Sequence, residues 1–507
     1  LAIATQTPLL GKDPPRIRAT GAAEGRRGVN RVTRLPVLFR SRTFWALFLL
    51  LFALYWFLNL RFQSAALYSP HQQWIRFHAK WLMRVSLEGM RAVDFEIPPL
   101  NLLLHILLVS DAHRIFLSAL AGFLVAFLIL YGLANVRTKT VKLLWSLYLA
   151  LSPALWFSCL FLPDYVLYLI LYCLAFYFLL EFSVSEQVFY LFVFGLLFGL
   201  MGLIRFETLW MSIVVFVYFL LRYGKRGLFL YYALAALFPL VSLQLSWVFL
   251  SLIFKGEAAT LLRHLYVDPF FAFAAFSNPI EQFMLHMTWP FFFLYAVTIV
   301  RLGTYREFFR SALFFSLLIP FLSPFFLKMT VQELCPVTFA SLFIIHYLIL
   351  FPYIGSLFNE KRQKLFYSAF LVGYFLFTLF AFSVTPEEHE ALFFKRLGDA
   401  NYPIPATAES TIGATLSGKP LIADEKSTYL VLQHRSDLGG IIHPNHPLYS
   451  SALFTPSAFA KAIVMRKGED RVYREYLKAV ERGKEFAGFA KVWEDDAYLI
   501  LERIPDS

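Results

Sequence analysis

Eleven long apolar runs dominate the sequence, at roughly 43–60, 113–134, 143–161, 165–182, 187–204, 207–223, 227–253, 288–300, 309–327, 335–351 and 365–383. Crossing a hydrocarbon core about 30 Å thick takes about 17–25 helical residues. Most of the runs meet that length, and the eighth borrows residues from the loop before it. Backbone facing lipid must satisfy its own hydrogen bonds, so such runs are helices. Barrel strands would alternate apolar and polar residues, which these runs do not. The expected fold class is an all-α polytopic membrane protein of about 11 transmembrane helices, with a small C-terminal α/β domain. Charged residues make up 16% of the chain against 59% hydrophobic. Soluble domains carry about 25% charged residues, so soluble, disordered and coiled-coil classes are excluded.

The net charge of +12 is unevenly placed. Residues 1–43 hold nine Lys/Arg against two Asp/Glu and read as a basic cytoplasmic arm. With that arm inside, alternate loops carry Arg137, Lys139 and Lys142; Arg222, Lys225 and Arg226; Arg301, Arg306 and Arg310; and Lys361, Arg362 and Lys364. Among the inner loops, the one between Glu181 and Glu186 lacks a basic cluster, and the outer turns near Asp164 and Lys328 are poor in charge. This is the positive-inside pattern. An odd number of crossings then puts residues 385–507 outside. The chain divides into the arm (1–43), a membrane domain (44–384) with long outer loops at 61–112 and 254–287, and an extracytoplasmic domain (385–507). No soluble basic face with interleaved aromatics is visible, so nucleic acid is not an expected partner. Cys159, Cys173 and Cys335 lie in or beside apolar runs without metal-ligand spacing and read as buried apolar residues.

In the first outer loop, Trp74, Phe77, Trp81 and Val85 recur at helical spacing, with Arg76, Lys80 and Arg84 on another face. That predicts a helix lying in the lipid interface, apolar side down; packing on the helix bundle is the alternative. In the outer domain, Leu421 to Asp424 and Thr428 to Leu432 read as strands, 457–465 and 470–482 as helices, and Trp493 to Leu501 as an interrupted strand.

Polar residues grouped at the outer ends of the helices are the candidates for chemistry. Asp94 and Glu96 precede Pro98 and Pro99, whose rigid backbone holds the carboxylates in place. A carboxylate there serves as general base toward a hydroxyl, or binds a divalent ion such as Mg or Mn; capping the next helix or pairing with Arg91 is the structural alternative. Arg205 and Glu207 interrupt two apolar runs: Arg205 suits a lipid phosphate, or the two pair and fix the hairpin. Arg263, His264 and Asp268 sit in an aromatic-rich loop followed by His286, and two ligands there define no metal site. His389, His434, His443 and His446 fit no zinc spacing, and no nucleophile elbow supports a hydrolase triad.

Taken together, Ser69 to Trp74, Phe95 to Leu100, Ile115 to Leu133 and Leu203 to Leu209 resemble stretches of the GT-C superfamily of integral-membrane glycosyltransferases. The nearest branch is that of the protein O-mannosyltransferases and aminoarabinose transferases. The resemblance covers about 44–385 in layout. It implies a multi-pass protein of a prokaryotic inner or plasma membrane that inverts the anomeric centre. A sugar would pass from a polyprenyl-phosphate carrier to an extracytoplasmic protein, lipid or glycan. His71 and Gln72 stand where the family usually has Asp or Asp-Glu, so the base falls to His71 or to Asp94, with Glu96 beside it. Arg205 and Arg263 would offset charge on the leaving phosphate, with Glu207 and His264 beside them. Membrane lipids are implied partners, and no acceptor is identified. A non-catalytic GT-C-like scaffold or lipid-binding subunit and a membrane transporter are the other classes weighed. A transporter would show related halves or broken helices, and no internal repeat is visible.

Overall fold

The structure is a computed structural model, and it describes residues 39–62, 70–83, 97–109, 113–135, 139–161, 163–205, 208–255, 360–384, 388–399 and, with short breaks, 402–504. The predicted runs at 288–300, 309–327 and 335–351 lie outside these residues.

The first half is helical: α1 (Arg42–Arg61), α2 (Pro70–Leu82), α3 (Pro99–Val109), α4 (His113–Asn135), α5 (Lys139–Leu151), α6 (Pro153–Phe161), α7 (Pro163–Ser185), α8 (Val188–Ile204), α9 (Thr208–Tyr223) and α10 (Phe229–Lys255). Then come α11 (Glu360–Val384) and α12 (Glu388–Gly398). Among the described residues three helices are long and apolar enough to cross a membrane, over Arg42–Arg61, Val166–Ser183 and Phe229–Phe254. Shorter apolar helices at Ile115–Leu130, Val188–Ile204, Met211–Tyr223 and Tyr367–Phe380 accompany them. The chain is thus largely α-helical, with a membrane protein's apolar helices and a small mixed α/β domain at the C-terminal end.

Sequence chemistry sets the breaks. The Ser41 hydroxyl accepts from the Thr43 amide at 3.2 Å and caps α1. Pro99, Pro153 and Pro163 each open a helix, where proline's missing N–H goes unneeded. Pro153 also splits the single run read at 143–161 into α5 and α6, because its ring cannot continue a helix interior.

Close packing brings α1 onto α4, α7 onto α8, and α8 onto α10. Gly195, Gly199 and Gly202 line the last contact; a methyl added at Gly195 would sit 2.8 Å from the Ala236 carbonyl oxygen. Small residues of this kind let helix backbones approach in an apolar solvent, where water does not drive association. The Trp145 indole donates to the Leu128 carbonyl at 3.1 Å and ties α5 to α4. At one rim, Arg61 donates to the Leu397 carbonyl at 3.0 Å, and Phe393 of α12 meets Phe62 and Phe157 at 4.9 and 5.1 Å. At the other rim, Arg222 donates to the Ser183 carbonyl and lies over the Tyr223 ring.

The C-terminal domain contains α13 (Ala408–Thr415), β1 (Leu421–Ala423), α14 (Glu425–Leu432), β2 (Ile441–Ile442), α15 (Tyr449–Phe454), α16 (Pro456–Phe459), β3 (Ala462–Arg466), α17 (Arg471–Glu481), β4 (Phe489–Glu494) and β5 (Tyr498–Arg503). Its sheet runs β2-β1-β3-β5-β4; the first three strands are parallel, and β5 pairs antiparallel with β3 and β4. One face packs Ile422, Ile463 and Leu499 with Val472 of α17. The other packs Leu421, Val464 and Ile500 with Val431 and Leu432 of α14.

That second face also contains Phe77 and Trp81 of α2. The opposite side of α2 buries Ile75 and Ala79 against Ile97 and Leu102. The predicted helix exists, but protein covers both of its apolar sides instead of lipid covering one. The C-terminal domain departs from expectation as well: residues 428–432 belong to helix α14, and of the helix expected at 457–465 only the start is helical, in α16, before β3 begins at Ala462. In α14 the Asp424 carbonyl accepts from the amide and hydroxyl of Thr428 and starts the helix. In β3, Ile463 and Val464 are fully buried in the sheet, where fit to both faces outweighs local preference.

Candidate functional site

Three chain segments meet at a buried polar cluster. Asn101 sits in the first turn of α3, Asp164 in the first turn of α7, and Arg205 at the C-cap of α8. Arg205 donates to Asp164 Oδ2 at 2.9 Å, with side chains 6% and 0% exposed. Asn101 Nδ2 faces the same oxygen at 3.4 Å. Thr208, fully buried, opens α9 beside them, its amide donating to the Arg205 carbonyl at 3.2 Å. A turn further along α3, His105 is buried with Nδ1 2.9 Å from the Asn101 carbonyl. The ion pair cancels its own charge, and taking both ions out of water makes it a tie between helices with little net gain.

A second polar region lies where the C-terminal domain meets α2. Gln433 donates to Gln73, and His443 meets the Trp81 ring edge-on at 5.0 Å. Burial, with Arg76 nearby, lowers the Lys80 pKa from its ordinary value. Burial and then Lys80 lower that of His434, against the opposing pull of Glu409.

Carboxylates also gather at the carboxyl ends of β1 and β3, where the strand order reverses and α/β sheets commonly bind ligands. Their oxygens are engaged in building the domain. Asp424 accepts from the Arg471 amide at 3.0 Å, and Asp470 accepts from Ser427, the Arg466 amide and the Tyr473 amide at 2.7, 3.0 and 2.9 Å. Burial raises the Asp470 pKa, while those three bonds pull it down. Among the described residues no group of three or more His, Cys, Asp or Glu is placed to share a metal ion.

Of the residues singled out in the sequence, Arg205 joins the buried polar cluster, where it pairs with Asp164. His71 lies in the first turn of α2, its side chain outside the described set. Asp94, Glu96, Glu207, Arg263 and His264 lie outside the described residues. Asp164 and Thr208 were missed as site residues. Their only signal is position, a lone acid after Pro163 and a hydroxyl at a turn between apolar runs. No protein-family model matches the chain, and no curated protein matches it.

Proposed function

We propose that the chain is an inverting glycosyltransferase of the GT-C type, moving a sugar from a polyprenyl-phosphate carrier to an extracytoplasmic protein, lipid or glycan. One observation carries this reading. The stretch containing Asp94 and Glu96 is bounded by Met83 at the end of α2 and by Ile97, which is buried against α2. The helix that ends at Met83 packs on the C-terminal domain, and Ile97 lies just before α3, the helix that holds Asn101. In this proposal the acidic stretch would meet a carrier lying in the bilayer and an acceptor outside it.

In this reading the base, Asp94 or His71, takes the acceptor's hydroxyl proton. The acceptor oxygen attacks the anomeric carbon as its bond to the carrier phosphate breaks, and the phosphate leaves with the bonding pair. Asp164 already balances the charge of Arg205, so we assign the leaving phosphate to Arg263 and His264 and give Arg205 the task of holding the rim. A divalent ion at Asp94 and Glu96 would need further ligands.

The test is a screen of polyprenyl-phosphate sugars with the purified chain. Turnover by the parent, lost in Asp94→Asn or His71→Ala with folding intact, supports the proposal. Full activity in both variants rejects the base assignment. His71 and Gln72, where the related enzymes carry acids, favour a second reading as a non-catalytic lipid-binding relative, for which carrier binds without turnover. Solute movement in proteoliposomes without donor consumption would mark a transporter.

A further inference from the structure

We propose that α10 is hinged at Pro239 and that its C-terminal half is a flap that swings off α8. This goes beyond the reading above, which needs no such motion.

The two halves of α10 are held differently. Before the hinge, Ala233 and Ala236 are buried in the core, and the Tyr232 ring meets Phe182 and Tyr223 at 5.1 and 4.8 Å. Beyond Leu240, only Gln244 and Ser251 are buried among residues 241–254, and both are polar. No fully buried apolar side chain anchors that half. Between the halves the helix is weakened. Pro239 lacks the N–H that would bond the Ala235 carbonyl. The Ser242 hydroxyl donates to the Pro239 carbonyl at 3.1 Å, and the Ser246 hydroxyl to the Ser242 carbonyl at 2.9 Å. Back-bonding of this kind bends helices, and proline is a common site of kinks. Gly195, Gly199 and Gly202 of α8 face α10 with no side chains to interlock with it, so the two helices can part along a smooth seam.

Gln244 supplies the bias. It is 4% exposed, and its amide nitrogen and oxygen both lack a hydrogen-bond partner among the described residues. A buried amide left unpaired is costly. The side chain packs on Gly202, two residues before the end of α8. Closing the flap gains packing on α8 and strands this amide; opening it gives up the packing and frees the amide to find partners. The two terms oppose each other, which keeps both positions populated.

The experiment is double electron–electron resonance on the full chain in lipid nanodiscs. Spin labels go on Leu103→Cys of α3 and Phe249→Cys of the flap, whose native side chains are 55% and 61% exposed. Cys335→Ser removes one native thiol, and the buried Cys159 and Cys173 stay unlabelled. Two distances are expected for this pair, and one when Leu234→Cys, before the hinge, replaces Phe249→Cys. Gln244→Met keeps the side-chain size and removes the amide, so it should lower the open-to-closed ratio about tenfold and raise the melting temperature. Gly202→Ala drives a methyl into Leu240 and to 2.8 Å from Gln244 Nε2, and should raise the ratio; it keeps the test open if Gln244→Met does not fold. A single distance at position 249 in the parent, or a ratio that neither variant changes, overturns the flap. Equal spread at positions 234 and 249 overturns the hinge at Pro239.

Discussion

Arg205 and Asp164 show how a single pair behaves when water is excluded. Losing one member leaves a buried charge without its counter-charge, so Arg205→Leu should cost about 3–5 kcal/mol. Arg205→Leu combined with Asp164→Leu should recover most of that loss. Thermal unfolding of the single and double variants checks this, and equal losses in both would mean that the pair is not coupled. The sequence exposed Arg205 because an arginine between apolar runs stands out. Its partner lies 41 residues away, and no local pattern links them. His434 offers a pH test. Its pKa when docked lies below the ordinary 6.5. Docking stability from this group is therefore fully present above that value and is lost as the pH falls through the docked pKa, where a second positive charge appears near Lys80. Crosslinking between Gln73→Cys and Gln433→Cys should weaken on acidification, and His434→Gln should flatten the response.

Helices carry the next level of the account. Apolar length made α1, α7 and α10 legible, since nothing else accommodates such runs. The surroundings of α2 were not legible. Spacing marks Phe77 and Trp81 as apolar, but it does not say whether lipid or a domain over 300 residues downstream covers them. The same limit explains α14, where β-prone residues follow a helix-starting aspartate. Trp81→Ala removes a large side chain from the shared core and should cost about 3–5 kcal/mol. Protease protection of the C-terminal domain in the full chain should fall accordingly. On α8, Gly195→Ala forces a methyl onto the Ala236 carbonyl oxygen and should cost about 1–3 kcal/mol. Gly373→Ala on α11 meets nothing within 4 Å and should be neutral or stabilising by up to about 1 kcal/mol. Melting temperatures of the two variants, read side by side, decide this.

Across the whole molecule, contact between α2 and the C-terminal domain constrains topology. Both must lie on one side of any membrane the helices cross, so an even number of crossings separates them. Ten of the eleven candidate runs fall between 83 and 388, which meets that condition. Burying Phe77 and Trp81 in its core makes the C-terminal domain complete only once this upstream helix has arrived on the same side. The proposed chemistry needs that side to be the non-cytoplasmic one, with the acidic stretch at its rim. Side-specific thiol labelling in intact cells tests this most directly, using Gln73→Cys, Asp94→Cys, Phe454→Cys and Gly224→Cys one at a time. The account predicts that positions 73, 94 and 454 react with an impermeant reagent from outside, and that position 224 reacts only after permeabilisation. Labelling of position 94 only from the cytoplasm would contradict it.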